Sequence, residues 1–315
     1  MSFSGDVKNE LARLLPDEYH CLLAEIAAIL RFAGTVEGGP QQGIILVETE
    51  NVVLAKKYLR LIKKAFDISV DLTIHKGASG KTNVYRILLT SEENGGEPTG
   101  ESFERVWRET ANWEDPEFAK SLLEYSCCRR AFIRGAFLAS GSMSDPGKSY
   151  HFEIICHTRK DADELARLIE TFGIEPKQIE RKHKFLVYLK DSGDIVDILN
   201  VMGASRALMH LENVRIIKEM KNSANRQFNC DSANINKTVR AAARQLEDIR
   251  LIQTEMGLDK LTPQLREMAE VRLEHPEESL QELGDYLDPP VGKSGVNHRL
   301  TRLGEIAQSL RQAEA

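Results

Sequence analysis

Apolar residues along this chain recur first at helical spacing and then at alternate positions, and the whole order occurs twice before the chain turns wholly helical. Leu11, Leu14 and Leu15 share one side of a first predicted helix, Ser4–Leu15, which Ser4 or Asp6 can cap and Pro16 stops. A second helix is predicted from about Tyr19 to Gly34. Thr35–Glu37 and Gly43–Glu50 are short apolar runs separated by the turn-rich GGPQQG, which predicts a β-hairpin. Val52, Leu54, Ala55, Tyr58, Leu59, Ile62 and Ala65 predict an amphipathic helix over 51–66. Ile68, Val70, Leu72 and Ile74 then alternate with Ser69, Asp71, Thr73 and His75, as on a half-buried strand, and Gly77–Lys81 turns the chain into a partner strand, Val84–Leu89.

The polar stretch Ser91–Gly100 connects to one or two helices within 101–125, broken near Pro116. From Cys127 the order repeats. A helix runs to Gly141, a turn at DPGK leads to the strand Tyr150–Thr158, a helix spans Lys160–Phe172, and strands follow at Gln178–Lys182 and Phe185–Lys190. Helices Asp191–Met202 and Ser205–Met220 close this half. The Asn/Ser-rich stretch 222–234 predicts a linker between a domain over 1–221, with repeats at about 19–90 and 127–202, and a second over 235–315. The second is predicted all-helical: a helix from about Ile235 to Met256 capped by Asn234 or Asn236 and ended by Gly257, another opened by Thr262-Pro263 and running to Glu274, and two last helices, Ser279–Leu287 and Ser294–Leu310.

The second leading helix copies the pattern of the first. Laying AEIAAILRFAG from Ala24 over AFIRGAFLASG from Ala131, about a hundred residues later, pairs Ala24 with Ala131, Ile26 with Ile133, Ala28 with Gly135 and Gly34 with Gly141. Ala24/Ala28 and Ala131/Gly135 put small side chains four apart on one helix face, where two backbones can approach closely.

Composition narrows the class. The 315 residues suffice for two domains, and 42% hydrophobic with 29% charged residues is a globular balance. No long apolar run and no signal-peptide pattern is present, so a cytoplasmic protein with no membrane partner is expected. The five cysteines, Cys21, Cys127, Cys128, Cys156 and Cys230, suit reduced thiols better than a disulfide framework. His20 beside Cys21 and His157 beside Cys156 are the nearest approach to a metal site, and adjacent residues point apart, so neither metal nor cofactor is expected. A net charge of −6 does not by itself suggest nucleic acid, so local charge decides.

Helix–hairpin–helix–hairpin, twice, each copy led by a small-residue helix ending in Gly, resembles the LAGLIDADG homing endonucleases over roughly residues 20–220. That resemblance implies an α+β domain in which the two leading helices pack side by side at a pseudo-two-fold axis and the sheets form a saddle over DNA. The motif copies are Ile26–Gly34 (IAAILRFAG) and Ile133–Gly141 (IRGAFLASG). Their eighth positions, acidic in the nucleases, are Ala33 and Ser140, which cannot hold a divalent ion as carboxylates do. Glu37 and Asp145 lie beyond the helix ends. A non-catalytic scaffold is the expectation. Whether the saddle touches DNA stays open: the first repeat presents Ser69, Asp71, Thr73 and His75, the second a basic tip of Arg181, Lys182, His183 and Lys184, and no basic groove spans both.

In the C-terminal part, SLQELGDYL opens on a capping box of Ser279 and Glu282, DPPVGK makes a turn, and SGVNHRLTRLGEIAQSL follows, which reads as a helix-turn-helix. Val296, Leu300, Leu303, Ile306, Ala307 and Leu310 form its core side. Lys293, Ser294, Asn297, His298, Arg299 and Arg302 cluster at its start, with three basic residues and no acidic one between Lys293 and Arg302. Asn and Arg make bidentate contacts with base edges, and a recognition helix presents its N-terminal residues to the major groove of double-stranded DNA. Residues 261–307 resemble the sigma-factor region that reads the −35 promoter element. Through CCRRAFIRGAFLASGSMSDPGKSYHFEI and GKSGVNHRLTRLGEIA the whole chain is similar to the WhiA family. That resemblance implies a nucleoid-associated DNA-binding regulator of cell division and chromosome segregation, acting in sporulation in spore formers, without enzyme activity. The family's association with an iron–sulfur regulator leaves a protein co-regulator open. The alternatives are a metal-dependent endonuclease and a protein–protein adaptor without DNA contact.

Overall fold

A computed structural model describes residues 2–77, 82–91 and 100–313. The first helix, α1 (Phe3–Leu11), is capped by Ser2, whose side chain accepts from the Gly5 N–H. Capping was expected from Ser4 or Asp6, but Ser2 already sits in the extended conformation that a cap requires. Next come α2 (Tyr19–Ala33), the hairpin β1 (Gly34–Gly38) and β2 (Gly43–Thr49), α3 (Val52–Phe66), and β3 (Leu72–Lys76) with β4 (Asn83–Thr90). Asn51 caps α3. β3 is shorter than the alternation from Ile68 predicts: residues 67–71 make no strand, and Ile68 is buried in the core. Most of the predicted 77–81 turn and of the 91–100 connection lies outside the described residues.

After α4 (Gly100–Thr110) and α5 (Pro116–Leu122, capped by Asp115), the order returns as α6 (Ser126–Ser140), β5 (Gly141–Met143), β6 (Phe152–Cys156), α7 (Arg159–Glu170), β7 (Lys177–Arg181) and β8 (Lys184–Leu189). Thr158 and Asp161 close a capping box on α7. The two antiparallel sheets have the same order, β1-β2-β4-β3 and β5-β6-β8-β7. The repeat register is 107 residues, as between His20 and Cys127, and both ends of α2 map onto the ends of α6 by that offset.

The fold divides into two units, one up to Lys218 and one from Glu219. In the first, α2 and α6 form the centre of a single core, with Ala24, Ala27, Ala28, Ala131 and Ala136 all buried. A Cβ added at Gly135 would lie 2.7 Å from the Glu25 carbonyl oxygen and 2.9 Å from the Ala28 Cβ, so the small-residue faces do bring two backbones together. α8 (Ser192–Met202), capped by Asp191, packs beside α6.

α9 runs unbroken from Ser205 to Glu255. The 222–234 stretch, expected as a linker, is helical, and no cap at Asn234 or Asn236 is made. Asn and Ser lower helix propensity by only tenths of a kcal/mol each, about 0.5, whereas neither Gly nor Pro interrupts the stretch. α9 supplies Ala207 and Leu211 to the first core and Ile249 and Ile252 to the second. It ends at Gly257, with φ of +85°.

The second unit adds α10 (Pro263–Glu274), α11 (Leu280–Asp285) and α12 (Lys293–Ala313). Thr262 has the backbone of an N-cap, but its side chain makes no capping hydrogen bond. The predicted capping box on α11 is present: the Glu282 N–H donates to Ser279, and the Ser279 N–H donates to Glu282. Leu283, Leu287, Val296, Leu300, Leu303 and Ala307 close a core with Met268 and Ala269. The turn between α11 and α12 folds back so tightly that the Val291 N–H donates to the Gly284 carbonyl, and a Cβ at Gly284 would lie 1.9 Å from the Val291 carbonyl oxygen.

Candidate nucleic-acid interface

On α12 the buried residues Val296, Leu300, Leu303 and Ala307 fix which face turns outward. Ser294, Asn297, His298, Thr301 and Arg302 are all exposed, at the spacing of one continuous helical stripe, with Lys293 exposed at the first turn. Thr301, absent from the predicted site, belongs to this stripe by its i+4 relation to Asn297, whose carbonyl accepts from the Thr301 hydroxyl at 2.8 Å. Periodicity alone could have found it.

Arg299 stands apart. Its guanidinium donates to Glu267 of α10 at 3.3 Å and its side chain is 16% exposed, so it turns toward the body of the unit. The same Glu267 accepts from the Asp288 N–H at 2.8 Å, which ties α12, α10 and the interhelical turn at one carboxylate. Arg302 pairs with Glu305 at 2.5 Å, but both side chains are more than half exposed. A pair of that kind is worth about 0.2–1 kcal/mol, little enough for a phosphate or base edge to displace.

Beside the start of α12 the surface is concave, with a volume of about 300 Å³, lined by Lys237, Arg272, Lys293 and Asn297 among others. Arg272 is buried there, its NH1 donating to the Glu278 carbonyl at 2.7 Å, and burial pulls its pKa below the ordinary guanidinium value.

The doubled unit offers a different surface. The sheet faces turned away from the helices carry Ile44, Leu46 and Leu88 around a Glu48–Arg86 ion pair in one repeat, and Ile155, Leu186, Tyr188 and Ile179 in the other. Ile44, Leu88 and Ile179 are exposed. Thr73 and His75 share the first of these faces through their pairing with Arg86 and Val84. The basic residues Arg181, Lys182, His183 and Lys184 are exposed at the β7–β8 tip, where Lys182 and His183 both take positive φ. A phosphate-tracking groove needs cations along its length, and on these faces Lys177 and the Glu48-paired Arg86 also stand away from that tip.

At the ends of α2 and α6 stand Ala33 and Ser140, the eighth residues of the two motif copies. The Ser140 hydroxyl donates to the Ile155 carbonyl at 2.7 Å. Asp145 accepts from the Gly147 N–H within its turn, and Glu37 is exposed on β1. Asp161 and Glu164 are both taken by Arg31, near the end of α2, at 2.6 Å, and that guanidinium also lies 4.3 Å from the Trp113 ring. Among the described residues no cluster of three metal-binding side chains lies at this end.

Between the repeats lie buried charges that no spacing along the chain connects. Glu25 on α2, fully buried, accepts from Arg134 of α6 at 2.9 and 3.2 Å and from Lys57 of α3 at 3.0 Å. Lys57 Nζ also donates to the Leu14 carbonyl, and Arg134 to the Met202 carbonyl at 3.2 Å. Burial lowers the Lys57 pKa, which Glu25 partly offsets.

The architecture is thus a doubled LAGLIDADG-like unit with a C-terminal helix-turn-helix. Family descriptions match along the chain: the WhiA N-terminal LAGLIDADG-like domain at 19–96, the WhiA LAGLIDADG-like domain at 129–221, and the WhiA C-terminal HTH domain at 224–307. The chain belongs to the WhiA family. It is 46% identical to a "Probable cell division protein WhiA" of Lachnoclostridium phytofermentans, covering 99% of this chain and 100% of that one. It is 44% identical to proteins of the same name from Clostridium botulinum and Clostridium perfringens, with 99% of each chain covered. The crystal structure of full-length DUF199/WhiA from Thermatoga maritima aligns over 98% of this chain and 99% of that one, with a TM-score of 0.61 and 26% identity. Among the described residues no helix is long and apolar enough to cross a membrane.

Proposed function

We propose that this chain is a sequence-specific DNA-binding regulator coupled to cell division, in which the exposed stripe of α12 reads the major groove and the doubled LAGLIDADG-like unit is a non-catalytic scaffold. The observation that carries the reading is the stripe itself: Ser294, Asn297, His298, Thr301 and Arg302, exposed on the face opposite the buried Val296, Leu300 and Leu303. Its side chains are the types that hydrogen-bond to base edges, and no acidic residue interrupts them. The relatives' naming as cell division proteins supports the process, and regulation of transcription is the mode a helix-turn-helix serves best. Chromosome segregation and, in spore formers, sporulation are the processes proposed to depend on it.

The nuclease reading is disfavoured by Ala33, Ser140 and the Arg31-neutralised acids. The adaptor reading rests on the apolar sheet faces around Leu88 and Ile179. One experiment separates the three. Duplexes selected from a random pool with the full chain are titrated with wild type and Asn297→Ala/Arg302→Ala, with and without Mg²⁺. The proposal expects salt-dependent binding, weakened at least tenfold in the variant and with no cleavage. Mg²⁺-dependent strand scission would restore the nuclease, and failure to select any duplex would favour the adaptor.

A further inference from the structure

At the opposite end of α2 and α6 from Ala33 and Ser140, about 20 Å away along the helix axes, the repeat register brings together four soft side chains. His20 and Cys21 occupy the first turn of α2, and the equivalent positions of α6, 107 residues on, are Cys127 and Cys128. His20 Nδ1 lies 3.1 Å from the Cys128 Sγ, 3.3 Å from the Cys21 Sγ and 4.0 Å from the Cys127 Sγ. All four donor atoms lie within 4.8 Å of one another, and among the described residues this is the one such cluster.

We propose that His20, Cys21, Cys127 and Cys128 form a tetrahedral zinc site that staples the two repeats together. Three thiolates and one imidazole are a structural zinc donor set, and zinc–sulfur and zinc–nitrogen bonds of about 2.3 and 2.0–2.1 Å put tetrahedral neighbours about 3.6–3.8 Å apart. The three distances from His20 bracket that edge and every donor pair lies within 4.8 Å, so side-chain adjustments of up to about an ångström complete the geometry. Sequence spacing argues against such a site because neighbours on one helix point apart. Pairing across the pseudo-two-fold axis removes the objection, since each helix contributes two donors to a point between them.

Two further features fit. Neither α2 nor α6 has a side-chain N-cap, Glu18 and Tyr125 standing at the cap positions without a capping hydrogen bond. A zinc ion with three thiolates carries a net charge of −1, which the positive ends of both helices favour. Cys21 and Cys128 are buried while Cys127 is exposed, which leaves a route for the ion to enter. Binding releases the three thiol protons to solvent and involves no redox change.

The full chain, purified under reducing conditions, is stripped with a chelator and titrated with Co²⁺ and then Zn²⁺, alongside Cys127→Ser and His20→Ala. The expected result is one ion per chain, with cobalt giving thiolate charge-transfer and tetrahedral visible bands that zinc abolishes. Affinity should fall about a hundredfold or more in each variant, since losing even an outer-shell partner costs about 10–100-fold. Cys127→Ser changes an exposed side chain, so its circular dichroism should match wild type while its zinc-dependent rise in melting temperature is lost. Sub-stoichiometric uptake, a cobalt spectrum without a thiolate band, or equal affinity in Cys127→Ser would overturn the proposal.

Discussion

The Arg299 guanidinium donates to Glu267 at 3.3 Å, and this sets it apart from Arg302, three residues on, which faces outward. The two arginines therefore have different work. Arg299→Ala leaves Glu267 without its α12 partner and should lower the melting temperature, with DNA affinity falling only as the helix loosens. Arg302→Ala should leave melting unchanged and cost about 1–3 kcal/mol of binding to a selected duplex. Calorimetry and fluorescence anisotropy on both variants test the distinction; equal loss of stability would show that Arg302 also holds the fold.

Glu25 neutralises two buried cations at the seam of the repeats. Glu25→Ala strands Lys57 and Arg134 without a counter-charge and should destabilise the first unit by about 3–5 kcal/mol. Urea unfolding followed by tryptophan fluorescence reports that unit, since Trp107 and Trp113 both belong to it. A loss below about 1 kcal/mol, the range of exposed pairs, would show that the charges are solvated.

Gly135 is required by the closeness of the helices. Gly135→Ala places a methyl carbon 2.7 Å from the Glu25 carbonyl oxygen and should cost about 1–3 kcal/mol, although alanine is the better helix former. A Gly135→Ala chain as stable as wild type in the same unfolding assay would mean that α2 and α6 stand farther apart.

Alkaline pH should weaken the first unit. Burial pushes the Cys156 thiol from the ordinary 9.0 up to about 12, with Asp161 adding to the rise. A folded-state pKa above the unfolded one means that the unfolded chain loses its proton first, so this stabilisation is complete below about pH 9 and is lost as pH rises toward 12. Cys156→Ala should flatten the fall in unfolding free energy across that window. An unchanged slope would assign the alkaline loss to other groups.

Much of this was legible in sequence because local patterns fix local structure. The repeat, the strands apart from β5 and the over-long start of β3, the capping box at Ser279 and the buried side of α12 all follow from spacing. The 222–234 stretch misled because Asn and Ser are weak helix residues without being helix breakers, and flanking helix on both sides carries them. Glu25, Lys57 and Arg134 lie on three different helices, and nothing in one-dimensional spacing joins them. The repeat register could have joined His20 and Cys21 to Cys127 and Cys128, had it been extended from the small residues to the whole first turn. The role of Arg299 depended on Glu267, 32 residues earlier on another helix.

Whether α12 reads DNA is tested by mapping chain-bound DNA across the genome in cells carrying wild type or Asn297→Ala/Arg302→Ala. The expected map is a discrete set of sites sharing a sequence motif, lost in the variant while its protein level is unchanged. An identical map from the variant would contradict it and move DNA recognition elsewhere on the chain.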